Sequence, residues 1–263
     1  MTGTRETDGA SLESHDRTRH ATVAVTVDLV VLTIRRGRLS VLLVERSGQP
    51  FAGWWALPGG FVEPDEALDV AAERQLAEKT GIRSADFDGH LEQLATFGDP
   101  DRDPRGRVIS VAYVAMIADP PASAAGGHRT EARWWAIDEL ADEVGSLAFD
   151  HDSVLTDGVE RVRAKLEYTT VAAAFVDSPF SLSDLRHVYE TVWGVALRPQ
   201  NFARKVISAD GFVVPLGEQG RPSGGRGRPA ALYERGPATE IVPAMLRPAP
   251  AIDSETVRGG TSP

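Results

Sequence analysis

No cysteine occurs among the 263 residues. Disulfides, thiolate nucleophiles and cysteine metal sites are therefore excluded. No apolar run approaches the roughly 20 residues that cross a bilayer, and the N-terminal stretch is polar, without the apolar core of a secretory signal. A cytoplasmic protein with no membrane partner is the expectation. Positive charge is in deficit: 28 Lys and Arg stand against 38 Asp and Glu, for a net charge of −10. As an average, that argues against nucleic acid as a partner. The remainder is ordinary for a globular chain, with 42% hydrophobic and 25% charged residues. The length fits one large or two small domains.

The average conceals a local reversal. From Arg198 to Arg235 the basic residues are Arg198, Arg204, Lys205, Arg221, Arg226, Arg228 and Arg235, against Asp210, Glu218 and Glu234. That segment is +4 and the rest of the chain −14. Basic charge gathered in one stretch is the electrostatic footprint of a nucleic-acid-binding element.

Residues 1–20 are rich in Thr, Ser, Asp, Glu and Arg and lack core-forming residues, so a disordered tail is predicted. From Ala21 the pattern changes to AVTVDLVVLTI, a turn at Arg36-Gly37, and LSVLLVER, which reads as a hairpin of buried strands. Trp54–Leu57 leads into a Gly-Gly loop and an amphipathic helix. Asp65 or a neighbour is expected to cap that helix, and Gly81 to stop it after about Thr80. HLEQLATFGD, RVISVAYVAMIAD and EARWWAI follow as strands. DELADEV and the stretch from Asp150 to Tyr168 follow as helices. In the polar loop DPDRDPRGR, the candidates for holding phosphate or a ribose-linked anion are Arg102, Arg105 and Arg107.

Beyond residue 167 a second unit begins, predicted over 168–236. TTVAAAFV is a short apolar helix candidate, SLSDLRHVYETVWG opens on a Ser181/Asp184 capping box, and Arg198-Pro199 starts a third helix. Two short strands enclose EQGRPSGGRGRP. Three helices and a strand–loop–strand make a winged-helix layout. On the third helix, Phe202, Val206 and Ile207 form the apolar face, while Asn201, Arg204 and Lys205 share the other. Asn suits adenine, Arg suits guanine and Lys suits phosphate. Gln200 at the helix start is a further candidate, and Arg226 and Arg228 in the wing can reach a minor groove or phosphates. Residues 237–263, rich in Pro, Ala and Gly, are predicted as a second disordered tail.

The stretch Trp54–Ile82, WWALPGGFVEPDEALDVAAERQLAEKTGI, resembles the Nudix box, G-x5-E-x7-R-E-U-x-E-E-x-G-U with U aliphatic. Gly60, Glu66, Arg74, Leu76, Glu78, Gly81 and Ile82 match; Gln75 and Lys79 stand where the family has Glu. In the family these carboxylates hold divalent cations against a diphosphate. Positions 75, 78 and 79 lie within roughly 100° of helical arc, so three carboxylates there would converge on one metal. A neutral amide and an ammonium do not make a magnesium site. No catalytic residue and no metal ligand is assigned. The ligand-binding candidates of the box are Gly59, Gly60, Arg74, Glu78 and Lys79, the last as a counter-charge in place of a metal.

The degraded box, joined to RDPRGRVISVAY, FSLSDLRHVYETVWG, RPQNFARKV and GRGRPAALY, resembles the Nudix-related transcriptional regulators of NAD metabolism, the NrtR family, over about residues 21–236. The resemblance implies an α/β fold, a Nudix-like α/β/α sandwich over 21–167 followed by a C-terminal winged helix-turn-helix domain. It also implies a homodimeric repressor of NAD biosynthesis or salvage genes, a palindromic operator as double-stranded DNA partner, and ADP-ribose as effector, with no cofactor. The competing class is an active Nudix hydrolase cleaving ADP-ribose or a related nucleoside diphosphate. A third is a ligand-sensing module whose C-terminal domain binds protein. Gln75, Lys79 and the +4 segment discriminate among them.

Overall fold

The computed structural model describes residues 22–83, 90–117, 131–220 and 229–248. Its organising strand is β1 (Ala24–Arg35), buried on both faces along most of its length. It turns at Arg36-Gly37 into β2 (Arg38–Glu45), with Leu32 opposite Val41. After β3 (Trp55–Ala56) and β4 (Gly59–Phe61), helix α1 (Leu68–Thr80) and β5 (His90–Phe97) carry the chain to β6 (Val108–Met116). β6 lies parallel to β1, from Ala24 opposite Val108 to Leu32 opposite Met116. A strand with parallel pairing and layers on both sides buries both of its rows of side chains and is mostly apolar, which is why AVTVDLVVLTI lacks the usual polar alternation, with Asp28 and the threonines as its polar members.

The sheet runs β3-β2-β1-β6-β5, with β4 on β1 and β7 (Ala132–Ala136) on β2. On one face α1 sets Ala71, Ala72 and Leu76 against Val27, Leu29, Val31 and Tyr113. On the other lies α3 (His151–Tyr168), which follows the single-turn α2 (Leu140–Glu143) and buries Val154, Val159, Val162 and Leu166 on Val30, Leu32 and Val114. A Cβ at Gly158 would stand 2.8 Å from Val30 Cγ1, so glycine is what lets α3 lie this close. The layers are the expected α/β/α sandwich.

Helix α1 departs from expectation at its start. It begins at Leu68 with Ala67 at the cap position and no side-chain cap. Asp65 does not cap it. The Glu66 carboxylate instead accepts the Glu63 N–H at 2.7 Å and two bonds from Arg74, so an ion pair organises the entry. Gly81 ends the helix at φ 73°, as read from the sequence.

The second unit is a winged helix. β8 (Phe180–Ser181) precedes α4 (Leu182–Trp193), whose Ser181–Asp184 capping box is formed in both directions. α5 (Pro199–Ser208) has proline at its start, and β9 (Val213–Gly220) and β10 (Ala230–Arg235) complete a sheet of order β8-β10-β9. TTVAAAFV, read as a short apolar helix, is a 3-10 helix over Thr170–Phe175. Thr170 is held there by the C-terminal segment, its hydroxyl donating to Ala238 O at 2.7 Å and its N–H to Thr239 O at 3.2 Å.

The two units share one core. The cluster that holds Val30 and Val154 continues through Leu185, Tyr189 and Trp193 to Phe202 and Phe212. Trp193 Nε1 donates to Arg163 O at 3.0 Å, and Arg163 Nε to Val192 O at 3.0 Å. Residues 237–248 are also part of this packing and not a loose tail. Ile241 and Met245 are each 4% exposed. Their N–H groups donate to Tyr168 O and Glu167 O, both at 2.7 Å. The last carbonyls of a helix lack intrahelical donors, and this segment supplies them; two apolar anchors outweigh a tail-like composition.

Candidate ligand cleft and nucleic-acid-facing helix

A cleft of about 160 Å³ opens where β1, β4, the Arg102 loop and the start of α3 meet. Its floor depends on glycine: a Cβ at Gly59 would lie 2.4 Å from both Asp28 Oδ1 and Val27 O. Asp28, a carboxylate inside an apolar strand, accepts the Ser110 hydroxyl at 2.5 Å and faces Arg102 Nη2 at 3.5 Å. Arg102 also binds Asp150 through Nε at 2.8 Å and Nη2 at 2.6 Å, with its side chain 3% exposed. It bolts β1 to the start of α3.

His151, the first residue of α3, is wholly buried beside this pair. Its Nδ1 accepts the Leu57 N–H at 3.0 Å, and its Nε2 lies 3.6 Å from Asp28 Oδ1. Burial holds its pKa below the usual 6.5, against the opposing pull of Asp28 and Asp150. The ring is therefore neutral at pH 7, and since Nδ1 accepts, Nε2 carries the proton.

The other wall is cationic and aromatic. Arg105, paired with Asp103 at 2.6 Å, lies 5.1 Å over Phe61 and 5.3 Å over Phe149. Arg46 covers Phe149 at 4.6 Å. Its pKa is lowered by burial and next by the charge of Arg105. Two guanidinium groups brought this close favour an anion between them. Phe149 itself sits at φ 59°, a left-handed conformation that costs a non-glycine residue about 1–3 kcal/mol.

The box helix points its chemistry elsewhere. Arg74 binds Glu66 at 2.9 and 2.5 Å, Glu78 at 3.3 Å and Phe61 O at 3.1 Å. The Glu66 carboxyl is held at about pH 2 by that Arg74 bond and by the Glu63 N–H. Gln75 is buried against Gly60; with its amide oriented so that both atoms find partners, the nitrogen donates to Gly59 O at 3.0 Å and the oxygen accepts from Arg74 at 2.8 Å. The divalent cations that the Nudix fold implies do not fit this donor set. Gln75 is engaged with backbone, Glu78 with Arg74, and Lys79 is a cation. Among the described residues no three His, Asp or Glu side chains are gathered as a metal needs.

Of the residues read from the sequence, Gly59, Gly60, Arg102 and Arg105 line the cleft. Arg74, Glu78 and Lys79 are not in its lining, and neither is Arg107, whose guanidinium donates to Gly98 O at 2.7 Å. Sequence reasoning missed Asp28, Arg46, Phe149 and His151. Asp28 carried a signal, a lone carboxylate in an apolar run; Phe149 and His151 carried none, because only the fold brings α3 to β1.

On α5, Gln200, Asn201, Arg204 and Lys205 are exposed. Asn201 and Arg204 share a face, with Arg204 Nη2 donating to Asn201 Oδ1 at 3.4 Å. Ile207 does not belong to the apolar face; it is 60% exposed and follows Gln200 and Arg204 around the helix. Lys205 leans the other way, its Nζ donating to Ala244 O at 2.9 Å. Arg226 and Arg228 lie outside the described residues. Among these residues no helix is long and apolar enough to cross a membrane.

A sandwich of this topology, with its core continued into a winged helix, defines the chain as a Nudix domain fused to a DNA-binding module. Comparison with known proteins agrees. The Nudix domain model matches residues 23–157, and the model of the NrtR DNA-binding winged helix domain matches 172–234. The chain is 34% identical over 226 residues, 85% of its length and 86% of the relative's, to an ADPR-responsive transcriptional repressor of Acinetobacter baylyi. Shewanella oneidensis NrtR complexed with a 27mer DNA superposes with a TM-score of 0.72 at 34% identity, covering 84% of this chain and 99% of that one. The Nudix domain of the same protein complexed with ADP-ribose superposes with a TM-score of 0.52 at 34% identity, covering 59% of this chain and 99% of that one. The chain belongs to the NrtR family of Nudix-related transcriptional regulators.

Proposed function

We propose that this chain is a transcriptional repressor of NAD biosynthesis or salvage genes whose Nudix domain senses ADP-ribose without hydrolysing it. The observation that carries the reading is the path of α3. Its first residue, His151, lines the cleft, and its last turns hold α4 through Arg163 and the C-terminal segment through Glu167 and Tyr168. Eighteen residues of helix span about 27 Å. A ligand that shifts Asp150 or His151 therefore moves the same rigid rod on which the winged helix is seated.

In this reading the ADP-ribose diphosphate lies between Arg46 and Arg105 over the Gly59-Gly60 backbone. The cleft is smaller than the roughly 300 Å³ at the low end of small-molecule sites, so it takes part of the ligand, and Arg46 and Arg105 separate as it binds. ADP-ribose then favours the conformation that does not fit DNA. Gln200, Asn201 and Arg204 read the major groove, and Arg226 and Arg228 hold phosphates. A two-fold homodimer requires a palindromic operator. The engagement of Gln75 and Glu78, and the charge of Lys79, support sensing over cleavage, since cations are what activate water and neutralise a diphosphate in such a reaction.

The test is a gel shift with DNA upstream of the chain's own operon. Wild type is expected to bind specifically and to be released by ADP-ribose. Arg204→Ala is expected to lose specificity by about 1–3 kcal/mol at one base position while keeping its ADP-ribose affinity. Wild-type binding that ignores ADP-ribose, or an Arg204→Ala protein with unchanged shifts, would sink the proposal.

A further inference from the structure

Helix α5 presents one apolar side chain on the face that carries Gln200 and Arg204. The helix turns Phe202 and Val206 into the core, with Phe202 edge-on to Tyr189 at 5.3 Å between ring centroids. At about 100° per residue, Arg204 lies opposite the midpoint of that buried pair. Gln200 is about 40° from Arg204 and Ile207 about 60°, both on the same side. All three are exposed.

The other flank of α5 is turned to the C-terminal segment. Lys205 Nζ donates to Ala244 O at 2.9 Å, and Asn201 lines the crevice that the helix forms with Met245, Leu246 and Pro248. The stripe that faces outward, away from both the core and this segment, is therefore Gln200, Arg204 and Ile207.

Exposure by itself carries nothing, since single apolar side chains are common on protein surfaces. The place of Ile207 is what matters. The spacing i, i+4, i+7 is that of three base-reading positions on a homeodomain recognition helix. From Gln200 to Ile207 the helix rises about 10.5 Å, which is about three base pairs at roughly 3.4 Å each. In the major groove the base edges offer hydrogen-bond donors and acceptors and a single apolar group, the C5-methyl of thymine. The isoleucine side chain has no atom that donates or accepts. Set over any other base edge, it would take water from a polar group and supply no bond in its place.

We propose that Ile207 is a specificity-determining residue of the operator contact, packing on the methyl group of one thymine in each half-site beside the bases that Gln200 and Arg204 pair with. The inference rests on the DNA-binding reading given above and adds to it an apolar contact that reads thymine.

The test uses the full-length protein and the operator fragment from upstream of its own operon, with each thymine in turn replaced by deoxyuridine, which lacks only the methyl. Affinity is read by fluorescence anisotropy at one salt concentration, for wild type and for Ile207→Ala. Alanine suits an exposed helix position, so folding, dimerisation and ADP-ribose affinity are expected to be unchanged. Wild type is expected to bind about fourfold more weakly when one thymine of a half-site is replaced, the size expected for one buried methyl, and about sixteenfold more weakly when its symmetry mate is replaced as well. Ile207→Ala is expected to bind the unmodified operator more weakly than wild type and to be indifferent to deoxyuridine at that position. The proposal is overturned if wild type tolerates deoxyuridine at every thymine, or if Ile207→Ala keeps the full sensitivity of wild type. It is also overturned if Ile207→Ala no longer dimerises, which would place Ile207 in a contact between protomers. A wild type that binds no operator fragment specifically sinks the DNA-binding reading as well, whereas specific binding that ignores the loss of each methyl sinks this inference alone.

Discussion

Replacing Arg102 by alanine separates a structural role from a ligand-binding one. Its guanidinium makes two bonds to Asp150 and stands 3.5 Å from Asp28. Once it is gone, Asp28 keeps only the Ser110 hydroxyl and the neutral His151 ring near it, in a place water barely reaches. Removing one partner of a buried ion pair costs about 3–5 kcal/mol. Asp150 is partly exposed and can rehydrate, so the low end, about 3 kcal/mol, is expected. At about 2–4 °C per kcal/mol for a unit of this size, the melting temperature falls by roughly 6–12 °C. Urea unfolding of wild type, Arg102→Ala, Asp28→Asn and the double variant makes the assay. The double should cost less than the sum of the singles, because the charge stranded by one change is removed by the other. Loss of less than about 1 kcal/mol, the scale of exposed pairs, together with a large drop in ADP-ribose affinity, would refute the reasoning and return Arg102 to the role of a ligand contact.

Three further outcomes follow from the same geometry. Gln75→Glu with Lys79→Glu should raise metal affinity, and release of AMP from ADP-ribose, followed by chromatography, shows whether hydrolysis appears; Gln75→Glu alone should destabilise, by about 1–3 kcal/mol, because a carboxylate replaces the amide that now donates to Gly59 O. Robust turnover by wild type would overturn the non-catalytic reading. Met245→Ala should cost about 2–5 kcal/mol, and urea unfolding within 0.5 kcal/mol of wild type would show that residues 237–248 are not part of the core. For pH, the buried neutral His151 is depressed in the folded state, so its contribution is complete above pH 6.5 and is lost as pH falls below it. Glu66, held at about 2, adds stability above about pH 4.5 that disappears as pH falls toward 2. His151→Gln should flatten the upper window and leave the lower one, and an unchanged slope between pH 6.5 and 5 would contradict the assignment.

Local and periodic features were legible without coordinates. The Gly60–Glu66–Arg74 frame, the Gly81 stop, the Ser181–Asp184 capping box and the proline at the start of α5 each specify structure over a few residues, so the chain itself states them. The apolar strands and the winged-helix order followed from patterning for the same reason. The C-terminal limit did not follow, because Ile241 and Met245 are two anchors in a Pro- and Ala-rich stretch, and only the exposed end of α3 gives them something to bind.

The sequence by itself determined the layers, the break in the metal-binding pattern at Gln75 and Lys79, and the pairing of Asn201 with Arg204 on one face of α5, but not the turning of Lys205 toward Ala244. Only the tertiary structure decided what each charged group does. Arg74, Arg102 and Arg105 are identical in composition. Their fates differ because Glu66, Asp150 and Phe149 stand at different distances from them once β1, α1 and α3 are assembled. Charge is a property of a residue, but its partner is a property of the fold. That is why Asp28 and His151, 123 positions apart, could be found only where the packing of α3 on β1 brings them within 3.6 Å.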